Sequence, residues 1–472
     1  MIEPFRPVLH FTPPRGWIND PNGLVYFNGE WHLCFQFFDP DDVLGLQWGH
    51  AVSRDLLHWE HLPPAIRPDR HGLIWSGSAV VDRHDTSGLL GGRPGIVCLF
   101  TYFDPADQRQ SQGLAFSTDG RTFTTYAGNP VIPQLRHLPG QPDDKDFRDP
   151  KVFWHAPTGR WIMVVAGGKV RIFSSADLIH WRFESVDEAL TTECPDLFEL
   201  PVAGDPARTR WVLSGAGRWY RLGRFDGQRF TPETDALPMT HGPDGYATQT
   251  WSDTPDGRRI AIAWLFAWRY GCGPRAGRIE NTFPTTPWSG GCMSLPCELT
   301  LAATPDGDRL WQVPAAEWDA WRTMVTEEAD MTIRPGAGRP LPPIETQALD
   351  LDVELGPASP PLAMNIPAAP GGAYTLRLDP RGSRLTLDRR GAGAPGIARY
   401  AECYETAWPA DAAGRMCARI VLDRCSLEVF AAGGAAVFAA TLLPDAARTC
   451  ELTSDGGVCR LRRLAVGVLR PT

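Results

Sequence analysis

The sequence of 472 residues contains no long apolar run and no excess of positive charge. Its longest uncharged apolar stretch, residues 429–443, is too short to span a bilayer, and Gly433 and Gly434 at its centre predict a hairpin there. The formal net charge of −9 argues against strongly anionic partners such as nucleic acids and anionic membranes. We therefore expect no nucleic acid and no membrane among the partners of this protein.

The usual patterns of metal-binding and secreted proteins are also missing. No CxxC and no HExxH pattern occurs, so we expect no metal site and no cofactor. Eleven cysteines are an odd number and too sparse for a disulfide scaffold, and no Asn-x-Ser/Thr sequon occurs. No basic segment followed by an apolar one opens the sequence. Together these features predict reduced thiols and a cytoplasmic location.

One pattern recurs five times in the first 300 residues: a polar turn, an apolar strand, a tight turn and an aromatic-rich strand. In the first copy, residues 19–27 and 30–38 flank Asn28-Gly29, and Asn-Gly between apolar runs is a strong hairpin signal. The later copies begin at Trp75, Arg148, Glu193 and Tyr246. Such repeats predict a five-bladed β-propeller. An array of ordinary β-sandwiches would not place a polar motif at the head of each unit.

The repeat ends near residue 301. Residues 310–322 predict a short helix with Trp318 and Trp321 on one face. Short alternating strands follow, for example residues 374–378. We therefore predict an all-β protein with a propeller over residues 1–305, a linker with a short helix over 306–335 and a β-sandwich over 336–472.

Three of the five repeat heads carry a carboxylate: Asp20, Asp149 and Glu193. Because the innermost strands of a propeller converge on its central channel, these side chains should meet in space. Convergent carboxylates without a metal motif favour glycoside hydrolysis, which needs an acid and a base or nucleophile. Arg148 would hold the neighbouring carboxylate ionised and bind a sugar hydroxyl.

Each of these residues also has an ordinary structural explanation. Asp20 and Asp149 precede prolines and suit turns, and Glu193 would be unremarkable at a surface. Four tryptophans offer flat faces to a sugar ring but would pack equally well in a core: Trp17, Trp48, Trp75 and Trp264. Three carboxylates at matched positions of a repeat nevertheless favour a functional site over turn chemistry alone.

Residues 16–24 (GWINDPNGL), 147–150 (FRDP) and 193–198 (ECPDLF) closely resemble the three signature motifs of glycoside hydrolase family 32. This is the family of invertases, levanases, inulinases and related fructosyltransferases. Further matching segments follow in the expected order: Trp48–Ser53, Trp75–Ser78, Tyr246–Trp251, Met293–Pro296 and Ser426–Phe430. The resemblance covers nearly the whole chain, and the last segment resembles a strand of the family's C-terminal sandwich.

The resemblance implies a β-fructofuranosidase that releases terminal β-D-fructofuranosyl units with retention of configuration. Asp20 would be the nucleophile, Glu193 the acid and base, and Asp149 the stabiliser of the transition state. Glu193 would have to be protonated near neutrality, which burial and the other carboxylates favour, whereas Asp20 stays ionised. The positions implied to bind the sugar are Asn19, Gln36, Trp48, Trp75, Ser76, Arg148, Asp244, Tyr246 and Trp264.

The sequence also departs from the family pattern. Val43 or Leu44 stands where a tryptophan of the pocket wall is expected, Phe38 lies near the usual asparagine, and Cys297 replaces a common arginine. We expect sucrose or a fructo-oligosaccharide as substrate, but these changes put sucrose in doubt. A fructosyltransferase, a levan- or inulin-degrading enzyme and an enzyme for phosphorylated sucrose stay open. From another class, so does a non-catalytic sugar-binding propeller.

Overall fold

The computed structural model describes residues 3, 5–134, 146–266, 268, 287–369, 371–392, 400–411, 413–445 and 447–470. These residues form a five-bladed β-propeller followed by a β-sandwich. Among them, no helix has the length and apolar character needed to cross a membrane.

Blades I to III are separate sheets, and each blade begins with its innermost strand. Blade I contains β1 (Gly16–Phe27), β2 (Glu30–Phe38), β3 (Gln47–Ser53) and β4 (Trp59–Ile66), and β20 (Trp288–Gly290) pairs with β1. Blade II contains β5 (Leu73–Asp82), β6 (Gly95–Asp104), β7 (Arg109–Ser117) and β8 (Thr124–Thr125). Blade III contains β9 (Arg148–His155), β10 (Arg160–Ala166), β11 (Gly168–Ser175) and β12 (Trp181–Thr192).

Blades IV and V are joined where Val202 pairs with Leu301. Blade IV contains β13 (Pro195–Val202), β14 (Asp205–Gly215), β15 (Trp219–Phe225), β16 (Phe230–Pro232) and β17 (Leu237–Pro238). Blade V contains β18 (Tyr246–Thr250), β19 (Arg259–Trp264), β21 (Cys297–Thr304) and β22 (Gly307–Pro314).

Two six-stranded sheets form the sandwich. The first contains β23 (Arg322–Ile333), β25 (Ala348–Leu355), β30 (Met416–Leu422), β31 (Ser426–Ala431), β32 (Ala436–Thr441) and β34 (Cys459–Leu469). The second contains β24 (Arg339–Pro340), β26 (Leu362–Pro367), β27 (Ala373–Asp379), β28 (Arg384–Asp388), β29 (Cys403–Ala407) and β33 (Glu451–Ser454). Short 3-10 helices lie at Ala316–Trp321, Arg390–Ala392 and Ala432–Gly434.

The hairpins arise from local sequence. Asn28 and Gly29 connect β1 to β2 with positive φ angles of 50° and 84°, the geometry that matches the right-handed twist of a hairpin. The hairpin predicted over residues 429–443 is confirmed, since Gly433 and Gly434 turn the chain between β31 and β32.

The structure differs from the predicted linker over residues 306–335. Residues 307–314 form β22, and residues 322–333 form β23, so that only residues 315–321 connect the domains. The helix is a single 3-10 segment in which Trp318 and Trp321 are buried edge to face. The sequence did not predict β23, because this strand is largely exposed at the edge of its sheet and shows no clear apolar alternation.

A buried charged cluster joins the N-terminal segment to the sandwich. His10 Nδ1 lies 2.9 Å from Asp423 Oδ2, and His10 Nε2 lies 2.7 Å from Glu428 Oε2. Glu428 also accepts the backbone N–H of Leu295 at 3.2 Å, at the edge of the propeller. Burial by itself lowers the pKa of His10, but the two carboxylates outweigh it and raise that pKa to about 10.

We predict that His10 makes stability depend on pH at alkaline values. Because its pKa is higher in the folded than in the unfolded protein, its contribution is complete below pH 6.5 and is lost as pH rises towards 10. The free energy of urea unfolding should fall with a slope of at most about 1.4 kcal/mol per pH unit in this window. The variant His10→Gln should be less stable at pH 6 and should lack the slope; an unchanged slope in the variant would refute this assignment.

Candidate active site

The three predicted carboxylates meet at one end of the central channel. Asp20 lies on β1, Asp149 on β9, and Glu193 between β12 and β13. The Sγ atom of Cys194 lies 3.4 Å from Asp20 Oδ2 and 3.5 Å from Asp149 Oδ2. Arg148 Nη2 lies 2.9 Å from Glu193 Oε1, and its Nε lies 3.9 Å from Asp149 Oδ2. One thiol and one guanidinium group therefore connect all three carboxylates.

Irregular backbone turns these side chains into the channel. Asp149 and Cys194 have positive φ angles of 63° and 41°, which are unusual for residues other than glycine. The pairing of β1 with β2 is interrupted between Ile18 and Pro21, around Asp20. The freed N–H of Asp149 donates instead to Thr101 Oγ1 at 2.9 Å. Strained conformations of this kind cluster at functional sites.

Asp20 lies in a buried environment with several hydrogen-bond donors. Ser76 Oγ donates to Oδ2 at 2.7 Å, and Asn19 Nδ2 donates to Oδ1 at 3.1 Å. Burial raises the pKa of Asp20, as does the charge of Glu193, whereas the bonds from Ser76, Asn19 and Cys194 lower it. The net direction is upward.

Asp149 is also buried, and its carboxyl group titrates near neutrality. Burial raises its pKa to about 7; Arg148 opposes this rise, while the charges of Glu193 and Asp20 add to it. The backbone N–H of Cys194 donates to Asp149 Oδ2 at 3.0 Å. The pit therefore does not hold all its carboxylates fully ionised at neutral pH.

Glu193 is the most accessible of the three carboxylates. Its side chain is 34% exposed, compared with 7% for Asp149. Besides Arg148, Tyr246 holds it, because the phenol donates to Oε2 at 2.6 Å. Burial and the neighbouring charge of Glu193 raise the pKa of Tyr246, so that the phenol stays a neutral donor. The two aspartates thus form the base of the pit, and Glu193 lies nearer its mouth.

Two amides and one indole complete the surroundings of the pit. Asn19 Oδ1 and Gln36 Nε2 are buried and have no hydrogen-bond partner in the described part of the chain. Gln36 lies on β2 opposite the interruption at Asp20. Trp75, next to Ser76, stacks on Phe103 with ring centroids 4.0 Å apart and planes 10° apart. An unpartnered acceptor and donor beside a carboxylate suit a ligand rich in hydroxyl groups.

Trp48 does not face the pit. It is completely buried, its indole N–H donates to the carbonyl of Trp75 at 3.0 Å, and its ring packs edge to face on Phe100. The prediction that Trp48 contacts a sugar is therefore wrong, because no part of its ring is accessible. It supports Trp75 from behind.

Trp264 and Asp244 are also completely buried, so neither side chain has a surface that a sugar could contact. The structure does not support the prediction that they bind the sugar. Trp264 stacks on Phe266 within the core that the propeller shares with the sandwich. Asp244 accepts the backbone N–H of Thr441, on β32 of the sandwich, at 2.5 Å. Spacing along the sequence cannot distinguish a side chain that lines a pocket from one that lies behind it.

An ion pair beneath the carboxylates was missed by the sequence analysis. Lys151 Nζ lies 3.0 Å from Asp196 Oδ2, and both side chains are almost fully buried. Thr250 bonds to both partners: its carbonyl accepts from Lys151 at 2.6 Å, and its hydroxyl donates to Asp196 at 2.8 Å. Lys151 follows Asp149 by two residues on blade III, and Asp196 follows Glu193 by three on blade IV. Together with Thr250 on blade V, the pair therefore connects three blades below the pit. The signal was a lysine directly after the FRDP motif and an aspartate within the ECPDLF motif.

The arrangement suits acid–base and nucleophilic chemistry at one carbon atom. Two buried carboxylates face a third that a leaving group can approach, and fixed donors surround them. Within the described residues, no group of three or more histidine, cysteine or acidic side chains is arranged to hold a metal ion.

Comparison with known families and proteins gives consistent matches. The model described as "Glycosyl hydrolases family 32 N-terminal domain" matches residues 10–314, and "Glycosyl hydrolases family 32 C terminal" matches residues 317–466. The levanase of Bacillus subtilis (strain 168) is 36% identical over 498 residues, which cover 99% of this chain and 71% of the levanase.

Solved structures agree with these sequence matches. The crystal structure of the exo-inulinase from Aspergillus awamori superposes with a TM-score of 0.87 at 29% identity, covering 99% of this chain and 98% of the inulinase. The β-fructofuranosidase from Schwanniomyces occidentalis, complexed with fructosyl-erythritol, gives a TM-score of 0.82 at 26% identity, with 98% of both chains covered.

We predict that Asp149→Asn stabilises the protein while it removes activity. Since the pKa of Asp149 is higher in the folded protein than the unfolded value of 3.8, ionising it reduces stability as pH rises towards about 7. At pH 8 the variant should therefore unfold with a free energy about 1–4 kcal/mol higher than the parent chain. At pH 4 the two should be nearly equal. Equal stability at both pH values, measured in urea, would contradict the assignment.

We also predict that Asp196→Asn damages both stability and turnover. It leaves Lys151 buried without a counter-charge, which costs about 3–5 kcal/mol of unfolding free energy. Because the strands that carry Asp149 and Glu193 then shift, kcat should fall by about tenfold to hundredfold.

The double variant Lys151→Met/Asp196→Leu is the matched control. It removes both charges, so it should recover most of the stability that Asp196→Asn loses. If it is no more stable than the single variant, the ion pair does not explain the loss.

Proposed function

Because the chain belongs to glycosyl hydrolase family 32, we propose that it is a hydrolase that releases terminal β-D-fructofuranosyl units from a fructan or from sucrose. The observation that carries this proposal is the single pit in which Cys194 and Arg148 bring Asp20, Asp149 and Glu193 together. A sugar-binding protein without activity would not need three carboxylates at the cost of burying them.

In the first step, Asp20 attacks the anomeric carbon of the terminal fructosyl unit. The carbon–oxygen bond to the leaving group breaks as Glu193 transfers its proton to that oxygen, which leaves a fructosyl ester on Asp20. Glu193 is suited to this role because it is the carboxylate nearest the mouth of the pit, where the leaving group departs. Ser76 and Asn19 hold the Asp20 carboxylate in one orientation for attack.

In the second step, Glu193 takes a proton from water, and the water oxygen attacks the same carbon. The bond to Asp20 breaks, so two displacements give fructose with retained configuration. The bonds from Arg148 and Tyr246 hold the carboxylate of Glu193 in place for this step. Asp149 would bind hydroxyl groups of the ring and stabilise the positive charge that develops on it.

We favour a fructan over sucrose as the preferred substrate. Relatives that span nearly all of this chain carry the names levanase and extracellular exo-inulinase. Structures titled as fructofuranosidase complexes with fructose and with fructosylnystose support a sugar of this class as the ligand. The cytoplasmic location stays a prediction from the sequence, and the word extracellular in the names of relatives points the other way.

The test is to incubate the protein with levan, inulin, kestose and sucrose and to quantify the released sugars. We expect free fructose as the main product, with the highest kcat/KM on a fructan. A large excess of glucose over fructose from sucrose would instead indicate transfer to a second sugar. Absence of fructose release from all four substrates would refute the proposed function.

Asp20→Ala and Glu193→Ala test the roles of the two carboxylates. Each should lower kcat by at least about 100-fold on the best substrate, because each removes a group that makes or transfers a bond. With a fructosyl substrate that has a good leaving group, azide should raise the turnover rate of Glu193→Ala. Azide can replace water in the second step because it needs no general base.

Glu405→Ala is the control, because this glutamate is a half-exposed carboxylate of the sandwich. It should keep the parent activity. If Asp20→Ala or Glu193→Ala retains activity within about tenfold of the parent, which is only about 1.4 kcal/mol of barrier, the assigned role is wrong.

A further inference from the structure

A second cavity, of about 310 Å³, lies at the other end of the central channel. Its walls come from three blades: residues 80–84 and 86 at and after the end of β5, Phe153 and Trp154 at the end of β9, Trp161 on β10, and Ser252 and Asp253 after β18. The volume is at the lower end of the range for small-molecule sites in proteins.

The cavity is separate from the carboxylate pit. Asp82 follows Ser76 by six residues on β5, and Trp154 follows Asp149 by five residues on β9. At about 3.3 Å per residue, the two ends of these inner strands are about 16–20 Å apart. A ligand in this cavity would therefore not touch the groups that carry out the proposed reaction.

Trp154 forms an accessible aromatic surface in this cavity. The residue is 46% exposed, although tryptophan is costly to leave in contact with water. It packs edge to face against Trp161, with ring centroids 5.1 Å apart, and the indole N–H of Trp161 donates to Thr86 Oγ1 at 2.9 Å. The platform is thus held by neighbours on regular strands and needs little ordering when a ligand binds.

The polar residues that line the cavity include Asp82, His84 and a neutral ion pair between Arg83 and Asp253. Asp253 accepts the backbone N–H of Val81 through Oδ2 and Arg83 Nη2 through Oδ1, each at 2.9 Å. Arg83 is 62% exposed, so its guanidinium group is accessible to a ligand. A flat aromatic face beside a donor and an acceptor of opposite charge suits a neutral ring with hydroxyl groups better than an ion, since neither charge is uncompensated.

We propose that this cavity is a second sugar-binding site, which holds an internal part of a fructan chain away from the catalytic pit. The choice of fructan as the sugar rests on the proposed function. Two contacts on one polymer raise the local concentration of chain ends at the pit without changing the chemistry there. The site should therefore affect long substrates and leave sucrose unaffected.

The binding test uses native gel electrophoresis with levan or inulin in the gel, and Asp20→Ala as background so that the polymer is not degraded. In this background, Trp154→Ala and Arg83→Met should reduce the retardation by fructan, whereas Trp154→Phe should retain most of it because the ring remains. Val458→Ala, an exposed apolar residue of the sandwich, is the matched control and should have no effect. Equal retardation of the background protein and its Trp154→Ala and Arg83→Met variants would overturn the proposal.

The kinetic test uses the active chain. Trp154→Ala should raise KM for long levan by about fivefold, while kcat on levan and both constants on sucrose stay unchanged. A parallel loss on sucrose would mean that the tryptophan supports the fold rather than binds the polymer, and would overturn the proposal. The two proposals can fail separately. If the parent chain releases no fructose from any substrate but retardation still depends on Trp154, the second site is supported and the proposed function is refuted.

Discussion

Like charges repel strongly where water is excluded, and the pit of this protein holds three carboxylates around one thiol. The fold compensates in three ways: Arg148 supplies a positive charge, hydroxyl and amide donors bind the oxygens, and Asp149 takes up a proton near neutrality. The charge of Glu193 raises the pKa of both aspartates, and the charge of Asp20 adds to the rise at Asp149. One carboxyl group can thus hold a proton while another is ionised, as acid–base chemistry requires.

The propeller is suited to this task because its inner strands approach from different directions and end at a common point. Each strand brings one acidic residue, so the repulsion is distributed over three blades rather than concentrated in one hairpin. The buried pair of Lys151 and Asp196 connects these blades directly below the pit. Away from the pit, buried His10 and its two carboxylate partners join the N-terminal segment to the sandwich. Buried charge compensation thus occurs both beneath the pit and between the N-terminal segment and the sandwich.

Much of this arrangement could be predicted from the sequence, because the propeller repeats its pattern and the repeat heads carry the acids. Asp20, Asp149 and Glu193 stand at matched positions, and matched positions of a propeller converge. What the sequence could not provide was accessibility. Trp48 and Trp75 belong to similar motifs, yet one is buried behind the other, and Asp244 contacts the sandwich instead of the pit. The linker was placed too broadly because the exposed edge strand β23 lacks the alternation that marks half-buried strands.

The segment where the sequence departs from the family pattern bears on the choice of sugar. Val43 is 99% exposed and Leu44 is 42% exposed, so neither forms a pocket wall in place of the expected tryptophan. Nearby, Phe38 stacks on Trp17 with ring centroids 5.9 Å apart, which places aromatic surface on strands instead of on the loop. A loop without a large ring encloses the leaving-group side less tightly than an indole would. Looser enclosure favours a leaving group that continues into a chain over a small one that needs contacts on all sides, which is consistent with the proposed preference for a fructan.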